Sequence, residues 1–392
     1  MQFTFDGSKL IIFLAGRLDS SNTEDIEKEL SGIRAQHSAS QIELDCGALE
    51  YISSAGLRVI LRMKKEAGNV ILTNVSPKVH EIFEITGFTE MMEIRRAYRI
   101  VSTDGCEIIG QGANGRVCRI DKETVLKEYF NPDALAEIEK ENSLARKAFI
   151  LGIPTAISYD IVKIRNGGYG AVYELLNAKS YAQLLRSGEK TVEEIAAMSV
   201  ELLKLIHGTE VAPGTLPSMK ETAAGWADFL KDYLQEDLAA RLCRLIDAVP
   251  EDLHVVHGDF HVKNIMYQNG ESLLIDMDTL CCGHPVFELS GIYNAYVGFG
   301  ITDPPAVEKY MGIPYDQAAA LWNRMLQLYL GTEDEKRLAE AEAKAKLIGL
   351  VRIMRRTIRR QGFETEAGRR LIACCKTQLE MLLPETETLT IL

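Results

Sequence analysis

Hydrophobic and polar positions change rhythm along the chain. Up to about residue 97, short apolar runs alternate with amphipathic stretches. Lys9 to Leu14 is a nearly continuous apolar run ending at Gly16, the pattern of a buried strand. Asn22 stands where it can cap a following helix, with Glu24 and Asp25 in the first turn, where the helix dipole favours negative charge. Gln41 to Leu44 predicts a further strand. Leu57, Ile60 and Leu61 then form a helical stripe, with Arg58, Arg62 and Lys65 on the opposite face. Asn69 to Thr73 predicts another strand, and Pro77 suits the first turn of another helix. Alternation of this kind predicts a small α/β sandwich.

From Cys106 the pattern turns to strands. Ile109 to Val117 holds glycines at positions 110, 112 and 115 between β-forming flanks, and Thr124 to Lys127 is an apolar strand ending in lysine. A strongly helical stretch, Pro132 to Phe149, carries Glu137, Glu139 and Glu141 and stops before Gly152-Ile153-Pro154. Ile157 to Ile164 and Tyr169 to Leu176 read as strands joined by the hairpin signal Asn166-Gly167-Gly168. Helices dominate afterwards. Ile195, Met198, Leu202 and Leu205 recur at spacings of three and four and end at His207-Gly208.

Composition narrows the classes. A chain of 392 residues has room for two or three ordinary domains, and 46% apolar with 26% charged residues is a globular balance. The net charge of −12 argues against non-specific binding to nucleic acid or anionic membrane and is compatible with a cationic small substrate. The eight cysteines show no C-x-x-C spacing, and no export signal or membrane-length apolar run is visible, so reduced thiols and a cytoplasmic location are expected.

Gly16-Arg17-Leu18-Asp19, Leu44-Asp45, Ser53-Ser54-Ala55-Gly56-Leu57, Asn74-Val75-Ser76-Pro77 and Thr86-Gly87-Phe88 follow one another as in the STAS family, which the first domain resembles. That family includes bacterial anti-sigma-factor antagonists. The resemblance implies an anti-sigma-type protein partner and a phosphorylation position at the N-terminus of the second helix, which is Ser54 here. Family members that are phosphorylated usually carry Asp just before it, whereas this chain has Ser53. Either serine also suits a helix N-cap.

The second region contains Val255-Val256-His257-Gly258-Asp259-Phe260-His261-Val262-Lys263-Asn264-Ile265, then Leu273-Leu274-Ile275-Asp276-Met277-Asp278, then Gly283-His284-Pro285-Val286-Phe287-Glu288-Leu289. This set resembles aminoglycoside phosphotransferases and choline kinases, with their H-G-D-x-H-x-x-N loop. His284 and Glu288 replace the two aspartates of the family's G-D-P-x-x-D-L. The implied fold is an α/β STAS sandwich over 1–98 followed by an α+β two-lobed protein-kinase-like domain, with its N-lobe at 104–176 and helical C-lobe at 177–392.

The resemblance implies ATP and Mg²⁺ as cofactors. Gly110, Gly112, Gly115 and Val117 would cover the nucleotide, and Lys127 would contact its α- and β-phosphates. Glu141 is the preferred carboxylate to hold Lys127, with Glu137 and Glu139 as alternatives. Tyr173 to Leu176, Glu174 and Leu176 among them, would supply backbone bonds to adenine. Asp259 would be the carboxylate at the attacking hydroxyl, Asn264 and Asp276 the metal ligands, and His257 a brace for the loop. Asp278 is open between a further ligand and a supporting acid.

Two other readings are weaker. His257 and His261 have a zinc-like spacing, but glycine follows His257 directly and no third ligand is apparent. Arg352 to Arg360 lies on a helix whose apolar face is Ile348, Val351, Ile353 and Ile358, so its arginines are expected in solvent or against an acidic surface. The border at Arg96 to Asp104 lacks a Gly/Ser-rich linker, which implies close tethering. Three functions remain: phosphorylation of a small-molecule hydroxyl with a regulatory or docking STAS domain, a protein kinase or autokinase acting on Ser54 or a partner, and a nucleotide-binding scaffold. Lys127, Asp259, Asn264 and Asp276 together weigh against the scaffold.

Overall fold

A computed structural model describes residues 1–112 and 114–391; Ala113, within the glycine-loop reading, and Leu392 lie outside the described residues. The chain divides into two compact units: Met1–Ser102 with Ile161–Gly167, and Thr103–Asp160 with Gly168–Leu392.

The first unit is built on a five-stranded sheet of β1 (Gln2–Phe5), β2 (Lys9–Leu18), β3 (Gln41–Ile52), β4 (Val70–Val75) and β5 (Ile94–Arg96), in that order. Only β1 runs antiparallel to its neighbour; β2 to β5 are parallel, as strands joined by crossover helices must be. Those helices are α1 (Thr23–Gln36), α2 (Ser54–Ala67), and α3 (Pro77–Ile85) with the short α4 (Phe88–Met91). Ile12, Leu44 and Leu72 stand side by side across the strands and are fully buried. A further strand, β6 (Arg99–Val101), pairs in parallel with Val162–Ile164.

Two local expectations are corrected here. The apolar run after Lys9 is not buried on both faces: Leu10, Ile12 and Leu14 are buried, but Phe13 is exposed. Nor does the strand stop at Gly16; that residue takes φ +69° at a register shift, so the glycine makes a bulge and β2 continues to Leu18. Asn22 occupies the cap position of α1 without capping it. Its carboxamide instead accepts from the Asp19 N–H at 3.0 Å and donates to the Arg17 carbonyl at 2.7 Å, tying down the preceding turn.

In the second unit, β7 (Glu107–Gln111), β8 (Gly115–Arg119), β9 (Thr124–Tyr129) and β11 (Tyr169–Glu174) form consecutive antiparallel neighbours in the order β7-β8-β9-β11; of β10 (Ser158–Ile164), Ser158–Asp160 belong to this unit and Ile161–Ile164 to the first. Helix α5 (Leu135–Ile150) follows β9. The remainder is mainly helical: α6 (Tyr181–Ser187), α7 (Val192–His207), α8 (Met219–Leu230), α9 (Glu236–Asp247), α10 (Pro285–Tyr296), α11 (Pro304–Met311), α12 (Tyr315–Leu330), α13 (Glu335–Arg359) and α14 (Glu366–Glu385). Short strands interrupt them: β12 (Lys179–Ser180), β13 (Val255–Val256), β14 (Ile265–Gln268), β15 (Glu271–Leu274) and β16 (Cys281–Cys282).

Val255 and Val256 pair with Cys282 and Cys281, while β14 pairs with β15; the catalytic-loop motif is therefore strung between two anchored strands. Two buried clusters support it, one including Phe260, Tyr296 and Trp322 and the other Val256, Phe287 and Val351. Among the described residues, no helix is long and apolar enough to cross a membrane.

Gly56 in α2 has no room for a side chain: an added Cβ would lie 2.7 Å from the Leu18 carbonyl oxygen. Gly56→Ala should destabilise the first unit by about 1–3 kcal/mol through overpacking. Hydrogen exchange of the β2 and α2 amides measures this, and unchanged protection would contradict the packing argument.

Candidate active site

Lys127, on β9, is the junction of the site. Its Nζ donates to Glu141 Oε1 at 2.7 Å and to Asp276 Oδ1 at 2.7 Å, joining the sheet to α5 and to the turn after β15. Glu141 lies on the buried face of α5 and also accepts from the Tyr129 hydroxyl and, at 3.1 Å, from the Tyr173 hydroxyl. Burial works to lower the Lys127 pKa, but the Asp276 and Glu141 carboxylates outweigh it and hold the ammonium well above an ordinary lysine. Of the three glutamates considered for this pairing, Glu141 is the one that bonds Lys127.

The loop after β13 carries the second group. Gly258 adopts φ +82°, and a Cβ there would meet the Thr279 carbonyl oxygen at 2.7 Å, so this position demands glycine. Glu288, fully buried on α10, accepts from the backbone N–H of His257 and from that of Gly258 at 3.0 Å. Burial alone would raise its pKa; His207, His257 and the Gly258 N–H bring it below the ordinary value and keep it charged. His257 Nδ1 accepts from the Asp259 N–H at 3.3 Å. Asn264 Nδ2 donates to the Asp259 carbonyl at 3.0 Å and to Asp259 Oδ2 at 3.3 Å, which fixes both side chains.

Asp259 is half-buried, with Oδ2 3.4 Å from His261 Nε2. Burial raises its pKa, but His261, Arg352 and His257 overcome that and hold the carboxyl well below the usual range. The Ile275 N–H donates to the Asn264 carbonyl at 2.9 Å, so Asp276 is held alongside the loop, in left-handed backbone with φ +65°. Asp278 is pushed up to about 7, first by desolvation and then by the Asp276 and Glu141 carboxylates.

On the opposite wall, Gly110 pairs with Val117, and Val117 with Lys127, across three adjacent strands. The glycines are not equivalent. A Cβ at Gly115 would lie 2.2 Å from the Glu128 carbonyl oxygen, whereas Gly110 and Gly112 have nothing closer than 3.8 Å. Internal packing thus demands glycine at position 115, whereas a Cβ at Gly110 or Gly112 would make only ordinary contacts, with Val117 and with the Gly115 carbonyl oxygen. Glu174 ends β11 with its N–H taken by the Ile157 carbonyl at 2.9 Å; Leu176 follows two residues on.

The donor chemistry also fits Mg²⁺. Asn264 and Asp276 offer hard oxygen atoms on adjoining backbone, and an excess of carboxylates is evident in the raised Asp278. Among the described residues, no cluster of three or more His, Cys, Asp or Glu forms a self-sufficient metal cage. Mg²⁺ does not require one, since it keeps waters and leans on substrate phosphates.

Comparison with known proteins assigns both regions. The phosphotransferase enzyme family matches residues 105–326. The chain belongs to that family. Membership makes it an ATP-dependent enzyme of kinase type. Residues 1–99 match the STAS domain, so a STAS domain precedes the phosphotransferase domain. The STAS part is 38% identical over 100 residues to BtrV of Bordetella bronchiseptica, a protein named as an anti-sigma factor antagonist; the match covers 24% of this chain and 85% of BtrV. Among solved structures, the chain is similar to the gentamicin complex of APH(2")-IIa at 14% identity and a TM-score of 0.46, covering 76% of this chain and 95% of that one. It is also similar to a choline/ethanolamine kinase family protein from Mesorhizobium loti at 14% identity and a TM-score of 0.46, covering 73% and 90%.

Against the pattern of the phosphotransferase family, the two replaced aspartates have separable explanations. His284 begins α10 and its Nδ1 accepts from the Val286 N–H at 3.2 Å, the cap bond that an aspartate makes equally well. Glu288 anchors the loop as described. Residues that motif reading passed over include Tyr129, which clamps Glu141, His207, near Glu288, and Tyr310, whose hydroxyl is 3.4 Å from His261 Nε2. Arg352 corrects an expectation: it is half-buried, not solvated, and Nη1 donates to the Gly258 carbonyl at 3.0 Å. Ser54, in the other unit, is exposed at the first position of α2, and its neighbour Ser53 is the cap, accepting from the Gly56 N–H at 3.4 Å.

Glu288→Ala would leave the buried His257 and Gly258 N–H groups without their acceptor. The expected loss is about 1–3 kcal/mol for each unpaired donor, read as a lower urea midpoint for the phosphotransferase unit. An unchanged midpoint would mean that water replaces the carboxylate.

Proposed function

We propose that this chain transfers the γ-phosphoryl group of ATP to a hydroxyl of a small molecule, while its STAS domain regulates the enzyme or docks it to a protein partner of the anti-sigma type. The observation that carries the reading is the double grip of Lys127 on Glu141 and Asp276, beside a loop that presents Asp259 and Asn264. A lysine held by a helix glutamate, beside a loop with an aspartate and an asparagine, is an arrangement that phosphoryl transfer in kinases uses.

In this reading Gly110, Gly112, Gly115 and Val117 cover the nucleotide, Lys127 meets its α- and β-phosphates, and the Glu174 carbonyl and Leu176 N–H meet the adenine. Glu141 holds Lys127 in place. Asn264 and Asp276 hold Mg²⁺, which when bound draws charge from the phosphate oxygens. The acceptor oxygen forms a bond to the γ-phosphorus as the bond to the β–γ bridging oxygen breaks, leaving ADP. Asp259 orients the acceptor hydroxyl and takes its proton. Its depressed pKa keeps it ionised at neutral pH, and a loose transition state asks orientation of it more than basicity. His257 positions Asp259 through the backbone bond already described.

Ser54 gives a second reading, because an exposed hydroxyl at a helix N-terminus could itself receive phosphate in an autokinase. BtrV's name supports the anti-sigma-type partner for the STAS domain.

Intact-mass measurement of the full chain after incubation with Mg-ATP separates the two. No mass gain is expected, together with ADP release when the correct alcohol is supplied. Asp259→Asn should slow that release on the order of 10²–10⁴-fold. A phosphoryl group on Ser54 of the wild type, absent from Asp259→Asn, would replace the small-molecule reading with the autokinase.

A further inference from the structure

The acceptor side of the site has a charge opposite to that of the molecule. Helix α13 delivers Arg352 to the Gly258 carbonyl, one residue from Asp259. One turn further, the Arg356 guanidinium lies 5.1 Å from the centre of the Phe299 ring. Phe299 stands 6.0 Å from the Tyr310 ring, edge to face, and Lys263 Nζ approaches that same ring at 5.4 Å. Tyr310 reaches back to Asp259 through His261, with 3.4 Å for each step. Arg356 and Lys263 therefore flank an aromatic pair, and Arg352, 5.6 Å from the centre of the Trp226 ring, stands beside the carboxylate proposed to orient the acceptor.

Arg352 bonds the Gly258 carbonyl and acts on Asp259 at longer range, but none of these cations makes the close carboxylate contact that other basic residues make. Arg62, Arg116 and Arg324 each bond a glutamate. Among the described residues, no carboxylate lies within 4.0 Å of the charged nitrogens of Lys263, Arg352 or Arg356, although the chain has 56 acidic and 44 basic residues. Arg352 and Arg356 are also half-buried, where unpaired charge is costly. Stacking on an aromatic face accounts for one side of a guanidinium and leaves its in-plane donors free.

Building on the phosphotransfer reading above, we propose that the acceptor alcohol carries an anionic group, carboxylate or phosphate, bound by Arg356 and Lys263 along the Tyr310–Phe299 wall with Arg352 beside them at the Asp259 loop. A guanidinium offers paired N–H donors that match either anion. The acceptor is then a hydroxy acid or a phosphorylated alcohol, and a positively charged amino alcohol is disfavoured by repulsion from the three cations.

The test uses the full chain saturated with Mg-AMP-PNP, so that the nucleotide's own phosphate site is filled. Inorganic phosphate and, separately, acetate are titrated at fixed ionic strength against chloride, following the thermal midpoint. A saturable rise is expected with at least one of them, its half-saturating concentration at least tenfold higher in Arg356→Gln. A response to phosphate alone identifies a phosphorylated alcohol, and a response to acetate identifies a hydroxy acid. No response to either anion, or an equal response in Arg356→Gln, overturns the proposal. Uptake of AMP-PNP checks the fold of each protein, with Lys263→Gln deciding if Arg356→Gln takes up none. Failure of the wild type to bind Mg-AMP-PNP would instead remove the phosphotransfer reading beneath it.

Discussion

The phosphotransferase site depends on one constraint: a lysine ammonium shared by carboxylates from two distant segments. Lys127 contacts Glu141, 14 residues on, and Asp276, 149 residues on. Glu141 cannot move independently, because Tyr129 and Tyr173 hold the same carboxylate from two strands. Asp276 is restrained in turn by the left-handed backbone at its own position and by the neighbouring bond from Ile275 to Asn264. Sheet, α5 and catalytic loop thus meet at a single charge. Removing Glu141 would leave two buried phenols without their acceptor as well as loosening the lysine, so its effects on fold and on chemistry are inseparable.

The loop itself is held from behind. Glu288 binds consecutive backbone N–H groups, Arg352 binds the carbonyl between them and Asp259, and Thr279 closes on the His257 carbonyl at 2.9 Å. Most of the loop's polar backbone is thereby committed before any substrate arrives. Orientation established in this way needs no rearrangement at the moment of reaction.

Much of this was legible in the sequence, for definite reasons. Asp259, Asn264 and Asp276 lie close together along the chain within motifs that resemble a known family, and the same resemblance, through the distance of Glu141 from the Gly-Ile-Pro break, favoured Glu141 over its neighbours. Lys127 ends a short apolar strand, but only the resemblance gave that position a role. The residues that escaped notice act across the fold: Tyr129 looks like an ordinary strand aromatic, and Arg352 like one of several arginines on an amphipathic helix. No local spacing distinguishes Arg352 from Arg359, since only the packing of α13 decides which guanidinium meets the loop. Gly16 misled for the opposite reason, because a glycine that bends a strand and one that ends it have the same sequence signal. Asn22 likewise had two nearby sets of backbone partners, and the tighter turn won.

The basic cluster of Lys263 and two α13 arginines would act on the encounter with an anion as well as on its proposed binding. An anion approaching from bulk solvent first meets the field of a molecule with a net charge of −12, and is repelled. Attraction to Arg352, Arg356 and Lys263 takes over only within about one Debye length, roughly 8 Å at physiological ionic strength. Added salt therefore acts on the two stages in opposite directions, easing the distant approach while weakening the final capture. The optimum for such a solute lies at intermediate ionic strength, where the outer barrier is screened and the inner well survives.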